Sequence, residues 1–335
     1  MENTINTNGN PSFIRRVFIS PDETRLRSGW RLLLQTLLLL LIGLIIVIPL
    51  SILIQYIQLP PIPVLEIILN GSIQFVAITA SVFISRRIFD RRTIISLGLR
   101  FDKTAVEDLL AGFLIPALMI ALILIIERVL GWTEILGVTW QQNPLQTVLP
   151  SILTGLAAFI IVGWQEELLT RGYQLQNLED GLNLPLALIL SSFVFGALHL
   201  ANPNSEQKLM VTLGIFLAGL FFGYAYIRTR QLWLPIGLHI GWNFFEGPIF
   251  GFPVSGLEAN GLFIHNPNGP ELITGGAFGP EAGLIIIPAL LLGVGLVYYV
   301  THGREIVRTD GSLTHQAHGS AVPDETEPAP TEHNT

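Results

Sequence analysis

The stretch GWQEELLTRGYQ, from Gly163 to Gln174, places two adjacent glutamates and an arginine directly after the apolar run VLPSILTGLAAFIIV. A charged side chain at membrane depth costs roughly 2.5–3.5 kcal/mol on insertion scales. Glu167 and Arg171 are four residues apart on one helical face, so they can pair. Glu166 lies about 100° further round the helix and has no such local cation. These groups either mark a membrane interface, where arginine snorkels, or face an internal polar site.

The composition of the whole chain is typical of a polytopic membrane protein. Half of its 335 residues are hydrophobic, only 13% are charged, and the mean hydropathy is +0.57. A soluble domain usually carries about 25% charged residues. The chain contains no cysteine, which excludes disulfides and thiolate chemistry. It has no nucleotide-binding glycine loop and no basic patch, so we expect no nucleic-acid partner.

The hydrophobic runs predict an all-α polytopic membrane protein with about eight transmembrane helices. An apolar core of about 30 Å needs about 20 helical residues. The first run, Leu32 to Ile54, has 23 residues, which is too long for a signal-peptide core, and we interpret it as a retained first helix. The predicted spans are 32–57, 64–85, 105–130, 147–178, 184–200, 209–228, 232–250 and 283–301.

The basic residues predict the orientation of these spans. With the N-terminus inside, 16 of the 18 Lys and Arg residues fall on the inner side, and only Arg128 and Lys208 fall outside. This positive-inside bias predicts that both termini are cytoplasmic. We expect a multi-pass protein of the plasma membrane.

The chain divides into five predicted segments, which are a cytoplasmic N-terminal segment (1–30), the first three spans (31–146), a core (147–247), an external loop with the last span (248–301) and a disordered cytoplasmic tail (302–335). The external connection from about Gly247 to Gly283 is rich in Gly, Pro and Asn and contains no Lys or Arg. It is expected to form an ordered cap or a partly re-entrant loop. Glu281, which lies in it, is interpreted as structural.

Two of the seven histidines lie inside predicted helices. His199 is near the end of SSFVFGALHL, and His239 in LPIGLHIGWNFFEG is followed one turn later by Asn243 on the same face. A lone histidine there is more often a packing residue than a catalyst. Counted at 1.5 Å per residue from the cytoplasmic helix ends, however, both histidines fall in one depth band with Glu166. Packed helices lie about 8–10 Å apart, so these side chains can converge on an intramembrane polar cavity.

Such a cavity supports hydrolysis. A carboxylate and a neutral imidazole can hold a water molecule and take its proton, while a second histidine and an amide stabilise the oxyanion. No serine or cysteine elbow precedes a helix, so a covalent nucleophile is not predicted. Alternatively, zinc with a bound water would be ligated by Glu166, His199 and His239, although the sequence lacks H-E-x-x-H.

At these residues the sequence resembles the CPBP (Abi) family of intramembrane proteases, which includes type II CAAX prenyl endopeptidases and bacteriocin-processing and immunity proteins. The family pattern is E-E-x-x-x-R, then F-x-x-x-H, then H-x-x-x-N or D. Here it reads EELLTR from Glu166, FGALH up to His199, and HIGWN from His239. The resemblance covers about 147–247, and it identifies this segment as a CPBP or CAAX-protease-like catalytic core.

The resemblance implies an endopeptidase that cuts a membrane-associated protein or peptide inside the bilayer. In that family Glu166 would activate the water, assisted by His199, and His239 and Asn243 would form the oxyanion site. Family members are described both as metalloproteases and as glutamate-dependent enzymes without metal. Zinc therefore stays open, and no other cofactor is expected.

The resemblance also implies that Glu167 and Arg171 support Glu166. Two other functions stay open: a non-catalytic scaffold or bacteriocin-immunity protein of the same fold, and a proton-coupled transporter. The intact set of glutamate, histidine and asparagine favours the enzyme. The absence of an inverted repeat and of paired broken helices argues against the transporter.

Overall fold

The computed structural model describes residues 13–20, 25–58, 63–258 and 261–304. Within these ranges the chain is almost entirely helical, and only two short strands occur. The prediction of an all-α polytopic membrane protein is therefore confirmed. The predicted disordered tail lies outside the described residues from position 305 onward.

The described elements follow one another along the chain, and their bounds are as follows. The helices are α1 (Phe13–Phe18), α2 (Ser28–Tyr56), α3 (Pro63–Ile88), α4 (Lys103–Val129), α5 (Leu145–Glu167), α6 (Gln176–Gly181), α7 (Leu184–Leu198), α8 (Lys208–Thr229), α9 (Trp233–Phe244), α10 (Glu271–Thr274) and α11 (Ile286–Thr301). Two π-helices, Leu168–Leu175 and Phe245–Ile249, extend α5 and α9. The strands are β1 (Thr133–Val138) and β2 (Phe263–Pro267).

Every predicted span coincides with a helical segment to within a few residues. Five segments of the described chain are long and apolar enough to cross a membrane, namely Ser28–Tyr56, Lys103–Val129, Leu145–Gly181, Leu184–Ala201 and Lys208–Thr229. The other three predicted spans correspond to α3, to α9 with its π-helix, and to α11. The number of crossings and the orientation of the termini stay predictions.

The apolar side chains of α2 face outward, as expected for a helix in contact with lipid. Leu40, Leu44 and Ile48 are each more than half exposed. A soluble protein rarely exposes so large a contiguous apolar surface. The exposed side of the helix therefore fits a bilayer rather than water.

The central helix of the bundle is α9, in which every residue from Leu234 to Phe244 is buried. A helix that is apolar all round belongs inside a bundle. Small residues allow its close packing, because a Cβ at Gly237 would collide with the backbone oxygen of Leu109 on α4. A similar contact joins α8 to α7, where a Cβ at Gly219 would lie 2.9 Å from the Cβ of Ser192.

The fourth span is not a uniform α-helix. Its α-helical part ends at Glu167 and continues as the π-helix Leu168–Leu175. A π-helix takes more residues per turn than an α-helix and occurs frequently at functional sites. The sequence did not predict it, because its side chains are fixed by partners on distant helices.

A buried ionic network locks this π-helix to α2 and α3 at the predicted cytoplasmic end. We call it the arginine network, and its members are Arg25, Arg31, Arg86, Arg92, Asp90 and Asp180. Asp90 accepts hydrogen bonds from Arg31 at 3.3 Å and from Arg86 at 2.9 Å. The hydroxyl of Tyr173 and the amide of Asn177 also donate to Asp90, each at 3.3 Å. The end of the fourth span is thereby held in register with its neighbours.

The opposite end of the bundle carries an ordered cap loop, which we define as residues 250–285, described apart from 259 and 260. Its strand β2 pairs antiparallel with β1, and Ile135 lies opposite His265. The sequence left open whether this connection forms an ordered cap or a partly re-entrant loop, and the structure shows ordered elements in it. The two-stranded sheet was not predicted, since β1 lies between two spans and has little alternation.

Candidate active site

The pair Glu167 and Arg171 forms as its spacing predicts. Nη1 of Arg171 donates to Oε1 of Glu167 at 2.8 Å, and both side chains are buried. Nη2 of Arg171 donates to the carbonyl oxygen of Gly219 at 2.9 Å. The guanidinium also lies over the rings of Phe195, at 4.6 Å, and Phe222, at 5.4 Å. Arg171 therefore joins the fourth span to α7 and α8.

His239 is the second partner of Glu167. Its Nδ1 lies 2.8 Å from Oε1 of Glu167, and its ring stacks on Phe222 with centroids 5.0 Å apart. A carboxylate that is paired with arginine can only accept hydrogen bonds, so Nδ1 carries the proton. The bond fixes the orientation of the ring and leaves Nε2 for the site. The resemblance implied that Glu167 supports Glu166, whereas its hydrogen bonds go to Arg171 and His239.

Glu166 is the accessible acid of the pair. Its side chain is 28% exposed, whereas that of Glu167 is fully buried. Oε2 of Glu166 lies 3.7 Å from Nε2 of His239, which is too long for a hydrogen bond. Within the described residues this oxygen has no hydrogen-bond partner. Of the two adjacent acids, Glu166 is therefore the one whose side chain is partly exposed and is not held by Arg171.

His199 reaches the cluster through an aromatic ring. It caps the end of α7, and its Nδ1 lies 2.8 Å from the carbonyl oxygen of Phe195. The Phe195 ring lies between the two imidazoles, with its centroid 4.7 Å from that of His199 and 6.1 Å from that of His239. Because a carbonyl can only accept, Nδ1 of His199 is protonated and Nε2 is free to accept. In the described chain no hydrogen bond joins His199 directly to Glu166.

Asn243 follows His239 by one turn and is 5% exposed. Residues four apart lie on the same face of an α-helix, so the amide is directed to the same side of α9 as the imidazole. The structure thus brings Glu167, Arg171 and His239 into direct contact. It places Glu166 beside them, and it sets His199 and Asn243 at the edge of the same cluster.

The donor set does not form a metal site as it is placed. Over the described ranges, no group of three His, Asp or Glu side chains lies close enough to share an ion. Nδ1 of each histidine is already bonded to another group of the chain. These bonds leave Nε2 of each ring available, so the obstacle to zinc is distance alone: as they are placed, Glu166, His199 and His239 are too far apart to share one ion.

The three motifs lie in a part of the chain that is similar to a known protein family. Residues 148–245 match the family model described as type II CAAX prenyl endopeptidase Rce1-like. The chain carries a CAAX-protease-like segment. The resemblance inferred from the three motifs is confirmed over this segment, which contains every site residue named above. No curated protein matches the chain.

Two buried acids close to the CAAX-protease-like segment were missed as site neighbours. Glu246 is fully buried, and neither of its carboxyl oxygens has a partner among the described residues. Glu246 follows Asn243 by three residues and so lies near the same face of the helix. That spacing could have identified it as a neighbour of the site from the sequence. Glu281 was interpreted as structural, and nothing in its local sequence connects it to α9. Its contacts are described below.

Proposed function

We propose that the protein is an intramembrane endopeptidase that hydrolyses a peptide bond of a membrane-associated substrate with a water molecule activated by Glu166. The match to the CAAX prenyl endopeptidase family supports a membrane-bound protease of this kind. The single observation that carries the mechanism is the split between the two glutamates. Glu167 is fully buried and bonded through Oε1 to Arg171 and His239, whereas Glu166 is 28% exposed and neither group is within hydrogen-bonding distance of its Oε2.

In the first step, the carboxylate of Glu166 accepts a proton from water, and the resulting hydroxide attacks the carbonyl carbon of the scissile bond. Nε2 of His199 is the free acceptor of its ring and helps to hold the water. The product of this step is a tetrahedral oxyanion and a protonated Glu166.

In the second step, the oxyanion accepts hydrogen bonds from the amide of Asn243 and from Nε2 of His239 in its doubly protonated form. The adjacent carboxylate of Glu167 and the carboxyl group of Glu166 surround that ring. The C–N bond then breaks, and the proton held by Glu166 passes to the leaving amine. Glu166 returns to its ionised form, so the cycle is balanced.

The buried ion pair keeps the two glutamates in different states. Arg171 is bound by Glu167, by Thr170 and by the carbonyl oxygen of Gly219, so it has a fixed position and no direct bond to Glu166. Removal of one partner from such a buried pair costs about 3–5 kcal/mol. Arg171 is thus assigned to the support of Glu167 and, through it, of His239.

The test uses purified protein in liposomes with two fluorogenic peptides that end in a CAAX motif and differ only in a prenyl group on the cysteine. We expect the wild type to cut at least one peptide and Glu166→Gln to cut neither. Cleavage of the prenylated peptide alone would identify the lipid as part of the recognised substrate. Cleavage that survives metal chelators would agree with a mechanism that runs through Glu166 alone.

A peptide-independent arm compares the membrane proteomes of cells that carry the wild type or Glu166→Gln. Membrane proteins that are shortened only in the wild type would be substrates. If no protein differs and neither peptide is cut, the scaffold or immunity function replaces the enzyme. Equal cutting by wild type and Glu166→Gln would disprove the role of the base.

A further inference from the structure

Glu281 is buried although it lies in a connection between two spans. It belongs to the short 3₁₀-helix Pro280–Ala282 in the cap loop and is 4% exposed. Its Oε1 accepts a hydrogen bond from the indole N–H of Trp242 at 3.0 Å. Its Oε2 accepts from the backbone N–H and the hydroxyl of Ser255, at 2.8 Å and 2.6 Å. Both oxygens are therefore bound, and they are bound to different parts of the chain.

At Glu281 the cap loop packs closely against α8, near the depth of the candidate active site. A Cβ at Gly214 on α8 would collide with the backbone oxygen of Glu281, so only glycine allows the contact. Gly214 lies about 9 Å along α8 from Lys208, and Gly219, which binds Arg171, lies about 8 Å further. Glu281 is thus within about one and a half helical turns of the ion pair in depth.

The three hydrogen bonds of Glu281 connect the two elements that carry the histidines. Trp242 directly precedes Asn243 on α9. On the other side, the carbonyl oxygen of Ser255 accepts from the side-chain amide of Asn202 at 3.1 Å. The backbone N–H of Asn202 in turn donates to the carbonyl oxygen of His199 at 3.1 Å. A continuous chain of hydrogen bonds therefore runs from the Asn243 turn, through Glu281, to the His199 turn.

A second buried acid, Glu246, lies close enough to Glu281 to interact with it electrostatically. Within the described residues no arginine or lysine is paired with Glu281, and both catalytic-type histidines, His199 and His239, lie within its electrostatic range. Burial raises the pKa of Glu281, because the ionised form loses water, while the Ser255 donors act in the opposite direction. The three donors satisfy both oxygens of the buried carboxylate, so its position is fixed by Trp242 and Ser255 together.

We propose that Glu281 is a positioning residue of the proteolytic site, which ties α9 beside Asn243 to the turn after His199 and so sets the distance between the oxyanion donor and the assisting histidine. The proposal rests on the proposed function. Glu281 does not touch the reacting atoms. It acts through Trp242 on one side and through Ser255 and Asn202 on the other.

The kinetic test compares Glu281→Gln, Trp242→Phe and the double variant with the wild type, on the peptide that the wild type cuts. A small misplacement of a catalytic group can lower the rate by about 10²-fold, so we expect Glu281→Gln to lower kcat by about 10- to 100-fold with little change in KM. Trp242→Phe removes the indole donor together with part of the buried ring volume, keeps the Ser255 bonds of Glu281, and should lower kcat less. The double variant should be no slower than Glu281→Gln, because both changes break the same bond.

The control is Glu271→Gln. Glu271 lies on the same cap loop, is exposed and accepts one hydrogen bond from Gln207. Its change should leave kcat and KM as in the wild type. Equal kcat in the wild type and in Glu281→Gln, or strictly additive losses in the double variant, would overturn the positioning role. If Glu281→Gln fails to fold, Trp242→Phe alone decides, and unchanged kcat in it overturns the proposal.

A second readout needs no substrate. Amide hydrogen exchange, measured in the wild type and in Glu281→Gln, should become faster in the segment 199–204 and around Ser255 while the core of α9 stays protected. If neither segment changes, the chain of hydrogen bonds does not hold the turn and the inference fails. If the segments change but the wild type cuts no peptide, the tie exists and the proposed function is what fails.

Discussion

Two buried ionic clusters in this bundle contain similar groups but opposite balances of donors and acceptors. In the arginine network, each carboxylate oxygen of Asp90 accepts two hydrogen bonds, and one oxygen of Asp180 accepts bonds from three arginines. The second cluster, called the site cluster, consists of Glu166, Glu167, Arg171, His199, His239 and Asn243. In it, one oxygen of Glu166 and one of Glu167 have no partner among the described residues.

The balance decides what each cluster can do. A carboxylate whose oxygens are saturated by arginine, tyrosine and amide donors cannot take a proton from water, because every acceptor position is in use. A carboxylate that retains a free oxygen and remains partly exposed can. The arginine network is therefore suited to holding helices together, and the site cluster is suited to proton transfer.

Glu166→Gln should lower kcat by about 10²–10⁴-fold, the usual contribution of a general base. The melting temperature in detergent should stay within a few degrees of the wild type, because the Glu166 side chain is partly exposed and its Oε2 has no hydrogen-bond partner among the described residues. Peptide cleavage and thermal unfolding are measured on the same preparation. A large fall in melting temperature would mean that Glu166 is a structural acid like Asp90.

Asn243→Ala should lower kcat by about 10²–10³-fold, the usual loss for one oxyanion donor. The substrate should still bind, so KM should change little. Asn243→Asp is the matched variant, since it keeps the volume and removes the donor in its ionised form. Wild-type kcat in Asn243→Ala would remove the amide from the oxyanion site and leave His239 as its donor.

Asp90→Asn should lower the stability of the protein and leave the activity of the folded molecules unchanged, which is the opposite of the effect expected for Glu166→Gln. It breaks a buried pair with Arg31 and Arg86, which costs about 3–5 kcal/mol of unfolding free energy. The molecules that remain folded should cleave the peptide at the wild-type rate, because the arginine network does not touch the site cluster. Unfolding in denaturant and kcat per folded molecule are the two measurements. A fall in kcat without loss of stability would show that the two clusters are coupled.

A protein that ends at Thr309 and carries His265→Ala and His302→Ala should keep its kcat to within about twofold, as for substitutions outside the structural and functional features. His265 contacts Thr133 in the two-stranded sheet, and His302 lies beside the ring of Tyr298 at the end of α11. Neither is joined to the site cluster. Loss of cleavage with unchanged folding would mean that the cap loop or the tail supplies a group to the site.

Much of the candidate site could be predicted from the sequence, because the prediction depended on spacings within single helices. The pairing of Glu167 with Arg171 follows from their spacing of four residues on one helix. The depth of Glu166, His199 and His239 follows from the rise per residue and from the ends of apolar runs. Neither argument needs to know which helices are neighbours.

The bounds of the spans could also be predicted, because they depend on the sequence of each helix alone. Hydropathy reports on each helix separately, and every predicted span meets a helical segment. The two-stranded sheet and the π-helix could not be predicted from the sequence. The sheet pairs residues about 130 apart in the chain. The π-helix is held to Asp90 by Tyr173, and by Asn177 in α6, which follows it directly.

The sequence by itself therefore determined that this is an all-α membrane protein and which of its helices carry the two glutamates and the two histidines, and it predicted that Glu166, His199 and His239 share one depth. Only the tertiary structure decided that Glu167 binds His239 while Glu166 stays free, and that Glu281 is drawn in against Trp242. The physical reason is that a buried donor or acceptor must find a partner where it lies. Which partner that is depends on how helices far apart in the sequence pack, and local spacing carries no record of it.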